Sequence, residues 1–123
     1  MAEKSPWPVR LTAAAEADFR GIVRWTFERF GEAQARAYAD TLVGAITALA
    51  QGPAIRGAKA RDDIDNGLFT LHVARGGRRG RHFLMFRIGH DGDRDVIEVL
   101  RILHDTMDAP RHAPKKPKTE GEQ

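Results

Sequence analysis

Two apolar periodicities separated by a single glycine constrain this chain more than any other feature. Ala15, Phe19, Ile22, Val23, Phe27 and Phe30 recur at helical spacing and share one side of a helix. Ala35, Tyr38, Ala39, Leu42, Ile46 and Leu49 repeat the pattern directly afterwards. Thr12 supplies an N-cap for the first run, with Glu16 and Asp18 near its positive end. Gly31 is placed to end that helix in a left-handed cap, and Gly52-Pro53 stops the second. A link this short predicts an antiparallel helical hairpin, and small Ala side chains on the second helix let the pair approach closely. Trp25 falls off the first stripe, which makes it a surface aromatic or part of a partner-facing side.

The hairpin needs an apolar surface to cover, and the second half of the chain provides one. Val9-Arg10-Leu11 reads as a short strand before the helices. Residues 54–67 read as a loop with room for a helical turn. Leu68–Val73 follows as a strand with Phe69, Leu71 and Val73 on one face. Arg81–Ile88 is apolar on both faces, as a central strand should be, and Val96–Leu103 is again mostly apolar. Short Gly-containing turns join these three strands into an antiparallel meander. The expected class is α+β in the order β-α-α-β-β-β, with the hairpin on one sheet face. The first strand is expected to pair with a distant strand of that sheet. Residues 1–8 should be frayed, 9–112 should form the domain, and the Pro-, Lys- and Glu-rich 113–123 should be a disordered basic tail.

Composition excludes several chemistries. With 123 residues the chain suits one domain, and with no Cys it has no disulfide framework, Cys-based zinc site or Cys nucleophile. Ser occurs only at Ser5, and no GxSxG is present. His72, His82, His90, His104 and His112 show no HxxxH spacing, so neither a metal nor a cofactor is expected. The glycines at 76, 77 and 80 open no helix in a phosphate-loop pattern and read as a hairpin turn. No apolar run reaches the ~20 residues of a membrane helix, and MAEKSPWPVR has no secretory h-region. The expected compartment is the cytoplasm.

The net charge of +3 hides a basic stretch. Arg75, Arg78, Arg79, Arg81 and Arg87 fall in thirteen residues without an acid. Such a run fits a solvated face as well as an acidic partner or phosphates. Arg81 and Arg87 share a strand face by alternation. If the helices cover Leu84, Phe86 and Ile88, both arginines lie on the open face. Arg101 breaks the alternation of the last strand, so it is either paired in a partly buried site or accompanied by a bulge. His104 follows that strand beside Asp105. It fits a proton donor or acceptor among arginines, or a strand-end residue that bonds backbone and fixes the turn.

LTAAAEADF (Leu11–Phe19), FGEAQARAY (Phe30–Tyr38), LAQGP (Leu49–Pro53), RHFLMFRI (Arg81–Ile88) and VIEVLRILHDTMDAPRH (Val96–His112) together carry a resemblance. Over about residues 9–112 the chain resembles the ParE branch of the RelE/ParE toxins of type II toxin–antitoxin (plasmid stabilisation) systems. The resemblance implies an α+β fold and a toxin held inactive by a cognate antitoxin. That antitoxin would be ParD-like, with a ribbon-helix-helix DNA-binding part and a disordered segment that folds onto the toxin. ParE-like members are associated with poisoning DNA gyrase, and RelE-like members with ribosome-dependent mRNA cleavage. ParE-like sequences often have Tyr where this chain has Phe86, and Tyr38 is the only tyrosine. The incomplete nuclease set points to a gyrase-binding toxin rather than an enzyme. Arg81, Arg87, Arg101 and His104 are then the expected target contacts, clustered at the end of the sheet, and Trp25 the antitoxin contact. The alternatives are an mRNA interferase using Arg81 or Arg87 with His104, and a non-toxic antitoxin-binding module.

Overall fold

Thr12 ties the first strand, the first helix and the last strand together. In the computed structural model, which describes residues 6–106, its N–H donates to the Val99 carbonyl (3.0 Å) and its hydroxyl to the Leu100 carbonyl (2.9 Å). Its Oγ1 also accepts the Ala15 N–H (3.1 Å), and its carbonyl accepts that of Glu16. The N-cap read from sequence therefore also anchors the helix to the sheet.

Strand β1 (Val9–Leu11) leads through this cap into α1 (Ala13–Phe30), and α2 spans Glu32–Ala48. Gly31 is the only residue between the helices. Its N–H donates to the Phe27 carbonyl, and its own carbonyl accepts the Ala35 N–H. It has φ 92° and ψ 178°, so the positive φ requires glycine, but ψ is extended rather than left-handed helical. Ala15, early in α1, shares the core with Leu42 and Ala45, late in α2, which makes the hairpin antiparallel. A single 3-10 turn (Leu49–Gln51) then brings the chain to Gly52.

The stripe on α1 is shorter than its periodicity predicted. Ala15, Phe19, Ile22 and Val23 face the core, but Phe27 and Phe30 are 54% and 58% exposed. Thr26 turns inward instead, its hydroxyl donating to the Ile22 carbonyl. Phe27 lies about 80° around the helix from Phe19. Phe30 is in line, but in the last turn it packs edge-on against Trp25.

Strands β2 (Lys59–Ala60), β3 (Leu68–His72), β4 (His82–Asp91) and β5 (Arg94–His104) complete a sheet of order β1-β5-β4-β3-β2. The α+β class, the meander and the hairpin on one sheet face are as expected, with β4 central. Two details differ. The sheet is mixed, because β1 runs parallel to β5, and β2 arises within the segment read as a loop. Three residues fix no strand direction, and two exposed residues show no alternation, so neither detail had a sequence signal. Within the segment expected to fray, Trp7 and Pro8 are held. The Trp7 N–H donates to the Ala50 carbonyl, and the Pro8 carbonyl accepts the Ile97 N–H. A Cβ on Gly52 would sit 2.9 Å from Trp7 Nε1, so the indole closes over a glycine. Residues 1–5, residues 107–112 and the 113–123 tail lie outside the described residues.

Helix-side packing centres on Leu71, Leu84, Phe86, Ile97, Val99 and Ile102, with Phe69 stacked on Phe86 at 5.4 Å. The opposite face is not open in its middle. Leu68, Met85, Leu100 and Leu103 are buried there, with Ile64 and Phe83 packed against them. Among the described residues, no helix is long and apolar enough to cross a membrane.

Both alternatives for Arg101 hold at once. Phe86 pairs with Val99 but Met85 pairs with Arg101, so Leu100 is the extra residue of a β-bulge. Beside it, β1 stops at Leu11, opposite Val99, leaving the outer edge of β5 unpaired from there. Asp18 on α1 fills that gap. Its carboxylate accepts Arg101 Nε (2.7 Å) and Nη2 (3.0 Å), and also the Ile102 N–H (2.9 Å). The hydrogen bond to Asp18 raises the Arg101 pKa, so the guanidinium is fixed as a cation. Asp18→Ala leaves a partly buried guanidinium and an edge N–H without their acceptor. We expect a loss of about 2–3 kcal/mol in urea unfolding with an unchanged m-value. Asp18→Asn keeps an acceptor and should lose about half as much.

Candidate functional site

Where the hairpin, the β3–β4 turn and the C-terminal end of β5 meet, they enclose an open cleft of about 1550 Å³. Ile22, Trp25 and Phe30 give it an apolar wall, and Arg78, Arg79, Arg81, His82, Arg101 and His104 a polar one. The exposure of Trp25 (53%) comes from its place on the outer flank of α1, with the Arg29 guanidinium 5.3 Å from its ring centroid.

Four of the five residues singled out from sequence line this cleft: Trp25, Arg81, Arg101 and His104. Arg87 does not. Six residues along β4 from Arg81, it is roughly 20 Å away. There its Nε donates to Glu98 Oε1 (3.0 Å), and Arg10 Nη2 donates to Glu98 Oε2 (3.3 Å). The expected cluster of four target contacts therefore loses Arg87. Alternation places Arg81 and Arg87 on one face, but Arg81 comes just before β4 and Arg87 lies beyond its middle. Arg101 reaches the cleft with its head group already held by Asp18.

The centre of the site is a pair of residues not singled out from sequence. Tyr38 on α2 accepts the Arg81 backbone N–H (3.0 Å), and its hydroxyl is also hydrogen-bonded to His82 Nδ1 (2.8 Å). Burial, as the largest cause, holds the Tyr38 phenol above its ordinary pKa. Gly80 makes the approach possible, since a Cβ there would lie 2.8 Å from the Tyr38 hydroxyl and 2.6 Å from Val73. The β4–β5 register sets His82 opposite His104, edge to face at 5.2 Å. Tyr38 had read only as part of the core stripe. The His82–His104 pairing depends on the bulge at Leu100, which sequence left open.

Asp105 gathers the remaining polar groups. It accepts from His72 Nε2 (3.1 Å) and, at 3.4 Å, from Arg81 Nε. The His72 bond and then Arg81 hold its carboxyl below the usual range. His72 Nδ1 accepts the Ala74 N–H, and His104 Nδ1 accepts the Thr106 N–H. All three imidazoles thus have Nδ1 engaged in a hydrogen bond, and at His72 and His104 a backbone N–H donates to it. His104 does fix the turn that follows its strand. Among the described residues, no three His or acidic side chains are grouped to hold a metal ion.

His82 is pushed down to about 4, first by burial and then by the neighbouring His104. An unfolded chain protonates histidine near ~6.5, so between these values the unfolded state binds more protons. This contribution is intact above about pH 6.5 and is lost as pH falls toward 4. We expect the melting temperature to drop across that window, with about 1–2 kcal/mol of the loss at pH 5 due to His82. His82→Gln, which keeps an acceptor for Tyr38, should flatten this part of the profile in parallel thermal melts.

The family model for the ParE toxin of type II toxin–antitoxin systems (parDE) matches residues 9–109. Toxin ParE1 of Mycobacterium tuberculosis is 34% identical over 102 residues, 83% of this chain and 93% of that protein. Toxin ParE of Escherichia coli is 36% identical over 98 residues, 80% of this chain and 84% of the relative. Among solved structures, the chromosomal ParDE toxin–antitoxin system from P. aeruginosa is similar in fold, with a TM-score of 0.64 at 23% identity. It covers 80% of this chain and 95% of its own. The toxin–antitoxin complex RelBE2 from Mycobacterium tuberculosis follows with 0.53 at 25%, covering 80% and 98%. With a family match over nearly all of the domain and relatives above 30% identity along most of its length, this chain belongs to the ParE toxin family of type II toxin–antitoxin systems.

Proposed function

We propose that this toxin acts in the cytoplasm by binding DNA gyrase, not by cutting RNA, and that a cognate antitoxin neutralises it. One observation carries the choice. Cleaving RNA by general base catalysis needs a nitrogen or oxygen free to take the proton of the attacking hydroxyl. In the cleft, His104 Nδ1 already accepts the Thr106 N–H and His82 Nδ1 is hydrogen-bonded to the Tyr38 hydroxyl; beside it, His72 Nδ1 accepts the Ala74 N–H. His82, with a pKa of about 4, is also a weak base near neutrality. Asp105 adds an anion beside Arg81, where a phosphodiester would need uncompensated positive charge. What remains is a contact surface, with Arg81 exposed at its mouth and His104 behind it.

The apolar wall beside these cations supports the antitoxin half of the reading. An acidic, amphipathic segment that orders on binding can cover Trp25 and Phe30 while its acids meet the arginines. Trp25 is the expected hot spot.

Purified protein should inhibit gyrase supercoiling and leave translated mRNA intact. Arg81→Glu should weaken inhibition at least tenfold with an unchanged circular dichroism spectrum, whereas Arg87→Gln, outside the cleft, should stay within about twofold. Trp25→Ala should weaken the antitoxin complex about 30-fold in calorimetry. The nuclease alternative keeps one favourable feature, the gathering of Arg81, His82 and His104 in one cleft. Codon-linked mRNA cuts that disappear in His104→Ala, with gyrase unaffected, would establish it instead. Absence of growth arrest on expression without a partner would leave only an antitoxin-binding module.

A further inference from the structure

The turn between β3 and β4 carries arginines whose charge the fold leaves uncompensated. Arg10, Arg36, Arg61, Arg87 and Arg101, and Arg81 at the end of the turn, each face a carboxylate within 3.4 Å. For Arg75 and Arg78 the partners are neutral oxygens. Arg78 Nη1 donates to the Thr41 hydroxyl (3.1 Å), and Arg75 Nη2 to the Arg56 carbonyl (3.1 Å). Arg79 makes no hydrogen bond or ion pair among the described residues. A neutral acceptor restrains a guanidinium without cancelling its charge, and it leaves the other N–H groups of the fork unused.

The rest of the turn suits one kind of partner. Residues 75–80 read RGGRRG, so the turn has no acid to repel an anion and no apolar side chain to anchor a protein. Protein interfaces depend on a buried apolar or aromatic centre, whereas a nucleic-acid backbone asks chiefly for positioned positive charge. Gly76 and Gly77, at φ 60° and 81°, hold the turn tight and leave it exposed.

We propose that Arg75, Arg78 and Arg79 form a contact for the phosphate backbone of duplex DNA. The choice of duplex DNA rests on the gyrase reading, since that target works on DNA; the phosphate chemistry does not depend on it.

The test uses the full chain without gyrase, a labelled 30-base-pair duplex, and a single-stranded RNA of equal length, titrated at several salt concentrations. The wild type should bind the duplex with a log affinity that falls linearly with log salt. Replacing all three arginines (Arg75→Gln, Arg78→Gln, Arg79→Gln) should cost at least tenfold at low salt and flatten the slope by about 2–3. Arg79→Gln alone, which loses no internal partner, should flatten it by about 1 without moving the melting temperature. Lys115, Lys116 and Lys118 remain in every variant, so the difference reports the turn. Four results would overturn the proposal: no duplex binding at 50 mM salt, a triple variant that binds as the wild type does, tighter binding to RNA, or loss of an acidic antitoxin segment with DNA binding intact. Supercoiling measured on the same preparations separates the two readings. Turn-dependent DNA binding with unaffected gyrase sinks the gyrase reading and keeps this one, while gyrase inhibition without turn-dependent DNA binding does the reverse.

Discussion

Beyond Val99 the edge of β5 is closed by side chains rather than by a strand, and the geometry of the site follows from that closure. β1 is only three residues long, so an exposed run of backbone donors and acceptors would remain along the longest strand of the sheet. Such an edge invites pairing with other chains. The Thr12 hydroxyl takes the Leu100 carbonyl and Asp18 takes the Ile102 N–H, one turn and a half further along α1. The helix is therefore pinned to the sheet edge by two specific bonds as well as by its apolar stripe. This fixes where Trp25 and Phe30 emerge beside the cleft.

The bulge at Leu100 is the second half of the same arrangement. In a strand of unbroken alternation, Arg101 and every residue after it would lie on the other face. With the bulge, Ile102 still reaches the helix-side core, and Leu103 reaches the opposite one. His104 then falls opposite His82. The Asp18–Arg101 ion pair sits at the bulge and compensates the charge of a guanidinium that the distorted strand leaves partly buried. Removing a partner from such a pair costs more than the pair itself contributes, so the bulge, edge and ion pair stand or fall together.

The hairpin, its cap at Thr12, the order of the three long strands and the central position of β4 were all legible in the sequence. Each rests on a periodicity repeated over many residues or on a local rule such as an N-cap. The direction of β1 and the existence of β2 were not legible, because two or three residues carry no period. The site was half legible. Trp25, Arg81, Arg101 and His104 converge, since all four lie near the ends of elements that the topology brings together. Arg87 misleads because alternation reports which face a residue occupies, not how far along the strand it stands. Tyr38 and His82 escaped notice for a different reason. Their pairing needs a long-range register, a missing Cβ at Gly80 and a bulge whose place depends on packing, and none of these leaves a local pattern.

A scaffold of this kind supports either binding or bond cleavage, and fold alone does not choose between them. The choice lies in which atoms of the cleft remain chemically free. His72, His82 and His104 would look like a reservoir of bases in a list of residues. In the folded chain a backbone N–H, a tyrosine hydroxyl and a second backbone N–H engage their Nδ1 positions. The same bonds that stiffen the β4–β5 end also engage its imidazole nitrogens. Positive charge is divided along similar lines. Arg81 and Arg101 are matched by Asp105 and Asp18, while Arg75, Arg78 and Arg79 on the adjoining turn face no carboxylate.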